Sequence, residues 1–152
     1  MALTVGMQAP DFTLPSTTGK RFTLSQHMKG KACILYFYPK DFTPGCTKEA
    51  CGFRDAFSFF RNMDIDILGI SADTVLSHQK FKEKYELPFE LLADVNRKVA
   101  KSYQATLPLI GTVRRITYLL AKDHKIAAVY KNLFGAEKHV QEMVETIKTS
   151  DT

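Results

Sequence analysis

The sequence predicts an α/β fold with a mixed central sheet flanked by helices. The first observation is a pair of nearly continuous apolar runs, residues 31–38 and 65–71, which are typical of strands covered on both faces. The second is that a helical pattern follows each run, as in crossover connections between strands. The third is length, because 152 residues fit a single domain, which is expected to span residues 1–152.

The first half of the chain supplies a hairpin, two core strands and one long helix. Residues 11–24 carry two short strand patterns around a glycine-containing turn, which predicts an N-terminal β-hairpin. The first core strand, 31–38, precedes a predicted helix from Pro44 to about Asn62, in which phenylalanines recur at helical spacing: Phe53, Phe57 and Phe60. The second core strand is 65–71.

The middle of the chain supplies two further helices. A polar helix is predicted from near Thr74 to Glu86, and residues 87–93 fit either a strand or a loop. The next helix is opened by Asp94 or Asn96 as its cap. Its four-residue repeat consists of Val95, Val99 and Tyr103.

The C-terminal part of the chain is a predicted hairpin followed by an amphipathic helix. The hairpin joins residues 115–121 to residues 126–131 through the turn KDHK. The apolar stripe of the helix is Ala136, Val140, Met143, Val144 and Ile147. The whole succession, closed by this hairpin and helix, is that of a thioredoxin-like fold.

The distribution of charge and hydropathy argues against several classes of function. The formal net charge is +5, but lysines and arginines are scattered from Lys20 to Lys148, so no nucleic-acid-binding stripe is predicted. No apolar run approaches the roughly 18 residues that a membrane span needs. The N-terminus lacks a basic region followed by an apolar stretch, so no signal peptide is predicted and a cytoplasmic location is expected.

The three cysteines, Cys33, Cys46 and Cys51, do not form a recognisable disulfide or metal motif. An odd number without a secretory signal indicates a reducing compartment. The chain has no CxxC, and no cysteine pairs with a histidine at zinc-ligand spacing, so no structural zinc site is expected. Cys33 lies inside the first apolar run, where a free cysteine packs as a small hydrophobic residue.

The stretch PKDFTPGC, residues 39–46, places a cysteine at the start of a helix. Thr43 suits the N-cap and Pro44 the first helical position, so that Cys46 falls at the third. Free backbone N–H groups and the positive end of the helix dipole would stabilise a thiolate there. The pattern favours a reactive Cys46, and an unreactive small residue in the first turn is the alternative.

Pro39-x-x-x-Thr43-x-x-Cys46 resembles the active-site signature of the peroxiredoxins. The continuation FTPGCTKEACGFRD resembles the bacterioferritin comigratory protein, or Q-type, subgroup in its atypical two-cysteine form, with Cys51 five residues after Cys46. Similar segments follow one another along almost the whole chain: GxxAPDF at 6–12, GIS-x-D near residue 70, SHxKFxEKY at 77–85, LLAD at 91–94 and RITYLL at 115–120.

The resemblance implies a role for each residue of the site. Cys46 corresponds to the peroxidatic cysteine, which attacks a hydroperoxide and becomes a sulfenic acid. Thr43 corresponds to the hydroxyl that hydrogen-bonds the peroxide, and Pro39 to the proline that shields the site. Arg115 corresponds to the arginine that stabilises the thiolate and the leaving oxygen. Cys51 corresponds to the resolving cysteine.

Three neighbouring residues are considered with them. Arg114 is expected to point away from the site, because adjacent residues on a strand face opposite sides. Glu49 corresponds to an acidic residue of the family that pairs with an active-site arginine, and an ordinary surface charge is the alternative. His78 also matches a family position and is expected to be structural or exposed.

An intact helix cannot join Cys46 to Cys51. Five residues rise about 7.5 Å along a helix and point about 140° apart, whereas a disulfide needs Cα atoms within about 7 Å. If the pair forms, the first turns must unwind in every cycle, and Gly45 and Gly52 lower the cost of doing so. The alternative is a one-cysteine enzyme in which Cys51 takes no part.

The resemblance implies a thiol-dependent peroxidase that reduces hydrogen peroxide and small organic hydroperoxides, with thioredoxin or a similar dithiol protein as the reductant. It implies no metal, haem or flavin. The alternatives are a disulfide oxidoreductase, which the missing CxxC disfavours, and a redox-sensing or chaperone-like thiol protein. A monomer is expected, with a dimer as the alternative if the apolar residues Leu107–Ile110 are exposed.

Overall fold

The computed structural model describes residues 2–131 and 136–150, with side chains at 2–131 and 140–148. In chain order, the elements of this part of the chain are β1 (Thr13–Pro15), β2 (Arg21–Thr23), α1 (Leu24–His27), β3 (Ala32–Phe37), α2 (Pro44–Asp55), α3 (Phe57–Asn62), β4 (Ile65–Ser71), α4 (Val75–Lys84), β5 (Glu90–Ala93), α5 (Lys98–Ser102), β6 (Ile116–Leu120), β7 (Ile126–Tyr130) and α6 (Ala136–Ser150).

The strands form a two-stranded hairpin, β1–β2, and a five-stranded mixed sheet in the order β5-β4-β3-β6-β7. Strands β3, β4 and β5 run parallel, while β6 is antiparallel to both β3 and β7. Because Phe37 pairs with Ile116, the residues that follow β3 lie beside those that precede β6. The predicted hairpin and mixed, helix-flanked sheet are confirmed.

The burial of β3 explains its continuous apolar sequence. Leu35 and Phe37 belong to the core on one face of the sheet, together with side chains from the β1–β2 hairpin, α1 and α5. Ile34 and Tyr36 belong to the core on the other face, with side chains from α2, α3, α4 and α6. Since both faces are covered, no position of the strand favours a polar side chain.

The single helix predicted from Pro44 to about Asn62 is wrong, because α2 ends at Asp55 and α3 starts at Phe57. Ala56, with φ −93° and ψ 3°, separates them. On one straight helix, Phe53 and Phe60 would lie about 10 Å apart along the axis. The break brings the centroids of these two buried rings to 6.1 Å. Packing of the rings against the sheet therefore overrides the helical spacing in the sequence.

The predicted start of α5 is also wrong. The helix begins at Lys98, its N-cap is Arg97 in the left-handed region (φ 61°), and Val95 is exposed. The Asp94 carboxylate still acts on the helix start, accepting hydrogen bonds from the backbone N–H groups of Val99 and Ala100. The buried carboxylate thus caps the helix from outside its first turn.

The remaining elements agree with the sequence or decide what it left open. Residues 87–93 contain a strand, β5, which pairs in parallel with β4. In α6, the side chains of Val140, Met143 and Ile147 are buried as predicted, while that of Ala136 lies outside the described side chains. Within residues 2–131 and 136–150, no helix is both long and apolar enough to cross a membrane.

We expect Gly69→Ala to destabilise the fold by about 1–3 kcal/mol, because overpacking a filled core forces its neighbours to move. A Cβ at this buried position of β4 would lie 2.7 Å from Tyr36 and from Leu91. Urea denaturation would measure the loss. The exposed position Ser58 on α3 is the control, since Ser58→Ala should stay within about 0.5 kcal/mol of wild type. An unchanged midpoint for Gly69→Ala would contradict the packing described here.

Candidate active site

The loop after β3 and the first turn of α2 form the centre of the candidate site. Thr43 occupies the N-cap position with extended backbone, and Pro44 is the first helical residue, so Cys46 is the third, as the sequence predicts. The Thr43 side chain does not cap the helix, however. Its hydroxyl donates to the Lys40 carbonyl (2.8 Å), which leaves the oxygen lone pairs as acceptors facing away from that bond.

Cys46 is buried and contacts a cation. Its Sγ lies 3.3 Å from Nη2 of Arg115, and the residue is 2% exposed. A guanidinium at this distance stabilises a thiolate in addition to the helix N-terminus beneath it. The sulfur therefore lies beside a positive charge, at a place from which bulk water is largely excluded.

Arg115 is itself held by a buried carboxylate. Its Nη1 donates to Oε1 of Glu49 at 2.6 Å, and Glu49 lies one turn after Cys46 on α2. Burial raises the pKa of Glu49 to about 7, against the opposing effect of Arg115. Burial would lower the pKa of Arg115, but Glu49 and Cys46 outweigh it and raise that pKa overall. The guanidinium thus remains charged between the carboxyl group and the sulfur.

Gly45 has a role that the sequence analysis did not identify. A Cβ at this position would lie 3.1 Å from Nη2 of Arg115. The absence of a side chain lets the guanidinium lie directly over the first turn of α2, next to Cys46. A glycine in the first turn of a helix is a weak signal by itself, because the group that approaches it is 70 positions further along the sequence.

Only one of the two adjacent arginines reaches Cys46. Arg114 donates from Nε and Nη2 to the Gln104 carbonyl, at 3.1 and 2.8 Å. Arg115, immediately before β6, faces α2 instead. The two arginines therefore point in different directions, as expected for adjacent residues on a strand.

The other two cysteines occupy different environments. Cys33 is fully buried in β3, and burial raises the pKa of its thiol to about 12. Cys51 is half-buried and borders a pocket of about 480 Å³ between α2 and α6, lined also by Lys48, Val140 and Glu145. All three thiols are free, and α2 is intact from Pro44 to Asp55. Cys51 therefore does not face Cys46 in this state.

Asp41 is a residue that the sequence analysis missed, and it lies next to His78, which is expected from the sequence to be structural or exposed. Asp41 follows the half-buried Pro39 by two positions and is 4% exposed. Its Oδ2 lies 2.7 Å from Nδ1 of His78, and His78 is 0% exposed. His78 is thus structural and buried, not exposed. No periodic signal marks the pair, since the two residues are 37 positions apart.

Arg115→Gln is expected to slow iodoacetamide alkylation of Cys46 at pH 6 by about tenfold or more, because an opposite charge next to the sulfur favours the reactive thiolate. Peptide mass spectrometry would follow the alkylation. The experiment is best made in a Glu49→Gln background, since Arg115→Gln alone would also remove the hydrogen bond that holds the Glu49 carboxyl group. Arg114→Gln is the matched control and should alter the rate less than about threefold. Equal rates for both arginine variants would refute the assignment.

Glu49→Gln should become more stable relative to wild type as the pH rises from 4.5, the ordinary value of the group, to about 7. Over this window the folded state keeps a proton on Glu49 that the unfolded state releases, so wild-type stability falls as the pH rises, by up to about 3 kcal/mol. Urea denaturation at pH 5 and pH 8 would measure the difference. Glu83→Gln, at an exposed position of α4, should show no such trend, and a constant offset for Glu49→Gln would rule the effect out.

The chain is similar to known proteins over most of its length. The sequence profile of the AhpC/TSA family matches residues 5–129. The chain is 43% identical over 145 residues to peroxiredoxin Q, chloroplastic, of Oryza sativa subsp. japonica. The aligned residues cover 95% of this chain and 66% of that relative. It is 44% identical over 150 residues to a peroxiredoxin of Coxiella burnetii named bcp. The aligned residues cover 95% of this chain and 98% of that relative.

A solved structure gives the same result. The crystal structure of peroxidoxin BcpB from Mycobacterium tuberculosis is similar with a TM-score of 0.89 and 33% identity, covering 97% of each chain. This confirms the predicted thioredoxin-like fold. The chain spans about two thirds of the length of the rice relative and almost all of the Coxiella relative. The chain therefore belongs to the AhpC/TSA family and, within it, to the peroxiredoxins of the Q/bcp type.

Proposed function

We propose that this chain reduces hydrogen peroxide and small organic hydroperoxides, with Cys46 as the attacking residue. As a peroxiredoxin, the chain is a thiol-dependent peroxidase. The observation that carries the proposal is the buried sulfur of Cys46, at the third position of α2 and 3.3 Å from Arg115. Negative charge is favoured there before the reaction, on the sulfur, and during it, on the leaving oxygen.

The first step forms a sulfenic acid. The Cys46 thiolate donates an electron pair to the distal oxygen of the hydroperoxide, the O–O bond breaks, and the other oxygen leaves as hydroxide or alkoxide. This anion takes up a proton to become water or an alcohol, while the sulfur is oxidised to S–OH. Arg115 would stabilise the leaving anion, the Thr43 hydroxyl would bind the peroxide, and Pro39 would limit access of water.

The second step makes a disulfide between Cys46 and Cys51. The Cys51 thiolate attacks the sulfenic sulfur, and hydroxide leaves and is protonated to water. Support comes from the sequence spacing, and the step requires α2 to unwind because the two sulfurs lie on different faces of an intact helix. Both glycines of the segment reduce the cost of unwinding.

A dithiol protein then reduces the disulfide by two exchange steps. The family implies a thiol reductant, and thioredoxin is our proposal for it. In support, Cys51 is half-buried beside an open pocket, whereas Cys33 and Cys46 are buried. Leu107, Leu109 and Ile110 are exposed, which is the condition under which a dimer is the alternative to a monomer. The oligomeric state, a single domain over residues 1–152 and a cytoplasmic location remain predictions. The plant relative carries the word chloroplastic in its name.

A peptide map after one equivalent of hydrogen peroxide tests the cycle. We expect a Cys46–Cys51 cross-link in wild type, and sustained peroxide consumption with thioredoxin, thioredoxin reductase and NADPH. Cys51→Ser should keep the first oxidation and lose turnover with thioredoxin by about 100-fold, while Cys33→Ser, the matched control, should retain turnover.

The other outcomes distinguish the alternatives. Full turnover by Cys51→Ser would indicate a one-cysteine peroxidase. One oxidation without turnover in wild type, with any dithiol reductant, would indicate a redox-sensing or chaperone-like thiol protein. A Cys46 thiol that peroxide leaves unchanged would refute the proposed function as a whole.

A further inference from the structure

We infer that Asp41 and His78 are positioning residues that hold the loop 39–43 in the form in which Cys46 meets its peroxide. The inference rests on the proposed function, because it concerns how the substrate is placed against Cys46. Both residues act through the loop and not on the reacting atoms.

The Asp41 side chain anchors the loop to two other elements. Its carboxylate accepts hydrogen bonds from the Tyr38 hydroxyl (2.6 Å), at the end of β3, and from the Ser77 hydroxyl (2.9 Å), in α4. The backbone N–H of Asp41 donates to Oδ2 of Asp73 (2.8 Å), which also accepts from the Ser71 hydroxyl. The middle of the loop is therefore tied to β3, to α4 and to the residues that follow β4.

His78 completes the anchor and balances the charge of Asp41. Its Nε2 lies 3.0 Å from the carbonyl oxygen of Leu92, which only accepts, so Nε2 carries a proton. The 2.7 Å contact between Nδ1 and Asp41 needs a further proton, on the ring or on the carboxyl group. With either placement the buried pair has no net charge, which is the condition for burying both groups.

The spacing fits a shared proton and not a shared metal ion. Asp41, Asp73 and His78 carry ligand-type atoms within 4.8 Å of one another. Zinc would need about 2.0–2.2 Å to nitrogen and to oxygen, which separates two tetrahedral ligand atoms by more than 3 Å. The 2.7 Å between His78 and Asp41 is a hydrogen-bond distance.

The backbone next to Asp41 shows that the loop needs an anchor. Phe42 has φ 66°, in the left-handed region, which is unfavourable for a bulky side chain. Its ring is 44% exposed and makes an edge contact with Phe81, with centroids 5.1 Å apart. Such backbone strain persists only where the surroundings enforce it. The anchored Asp41 on one side and the Thr43–Lys40 hydrogen bond on the other supply that enforcement.

The placement of the anchor predicts a selective effect. Thr43 and Pro39 belong to the loop, so their positions depend on Asp41. Arg115, which contacts Cys46, immediately precedes β6, so its position does not depend on Asp41. Releasing the loop should therefore slow reaction with peroxide, which needs Thr43, much more than reaction with iodoacetamide, which needs only an accessible thiolate.

The test compares two rates for the Cys46 thiol in each variant, its loss to hydrogen peroxide by rapid quench and its alkylation by iodoacetamide, both read by peptide mass spectrometry. We expect Asp41→Ala to lower the peroxide rate at least 30-fold and the alkylation rate less than threefold. Asp41→Asn should stay within about fivefold of wild type for peroxide, because its amide can donate to a neutral imidazole and accept from Tyr38.

Two further variants keep the test decisive if Asp41→Ala does not fold. Tyr38→Phe removes one hydrogen bond to the carboxylate and should lower the peroxide rate three- to tenfold with unchanged alkylation. Asp94→Ala removes a buried carboxylate that caps α5, and it serves as the control for lost stability. We expect this variant to have a lower melting temperature and both rates within twofold of wild type.

Each outcome decides a different point. A wild-type Cys46 that does not react with peroxide refutes the proposed function. A different outcome is that the wild-type Cys46 reacts with peroxide and a folded Asp41→Ala or Tyr38→Phe variant reacts as fast as the wild type. That outcome overturns only the positioning role. The positioning role is also overturned if Asp94→Ala loses the peroxide rate to the same degree as the loop variants.

Discussion

One partly buried guanidinium organises the site. Arg115 lies 69 positions after Cys46 and 66 after Glu49, and it contacts both. Without it, the carboxyl group of Glu49 and the sulfur of Cys46 would lose the cation that contacts both, and burying their charged forms would be less favourable. The pairing of β6 with β3 brings the arginine there. The order of strands in the sheet is thus a condition for the chemistry of α2.

Helix α2 meets two opposing requirements. It must be intact to direct its N-terminal N–H groups at Cys46, and it must open if Cys51 is to reach that sulfur. Gly45 and Gly52 serve both requirements, because each is a weak helix former and each lets another side chain approach the helix closely. A Cβ at Gly45 would lie 3.1 Å from Arg115, and a Cβ at Gly52 would lie 3.2 Å from Val140. Tertiary packing therefore supplies stability that the helix sequence lacks.

The sequence predicted best where a pattern is local and strong. The run 65–71 coincides with β4, and Thr74 caps α4 by accepting from the Ser77 N–H. It failed where side-chain contacts compete with the helical pattern. The break at Ala56 follows from the packing of Phe53 against Phe60, and the Thr43 hydroxyl turns back to Lys40 instead of capping α2.

By itself, the sequence determined the register of α2, with Pro44 first and Cys46 third, and the continuous apolar strands beside it, because these depend on backbone sterics and hydrogen bonds within a few residues. The tertiary structure alone decided that Glu49 is a buried partner of Arg115 and not a surface charge, that Arg115 comes into contact with the Cys46 sulfur, and that Asp41 meets His78. These contacts join residues 37 to 69 positions apart. Only the arrangement of the strands and the packing of helices on the sheet bring such residues together.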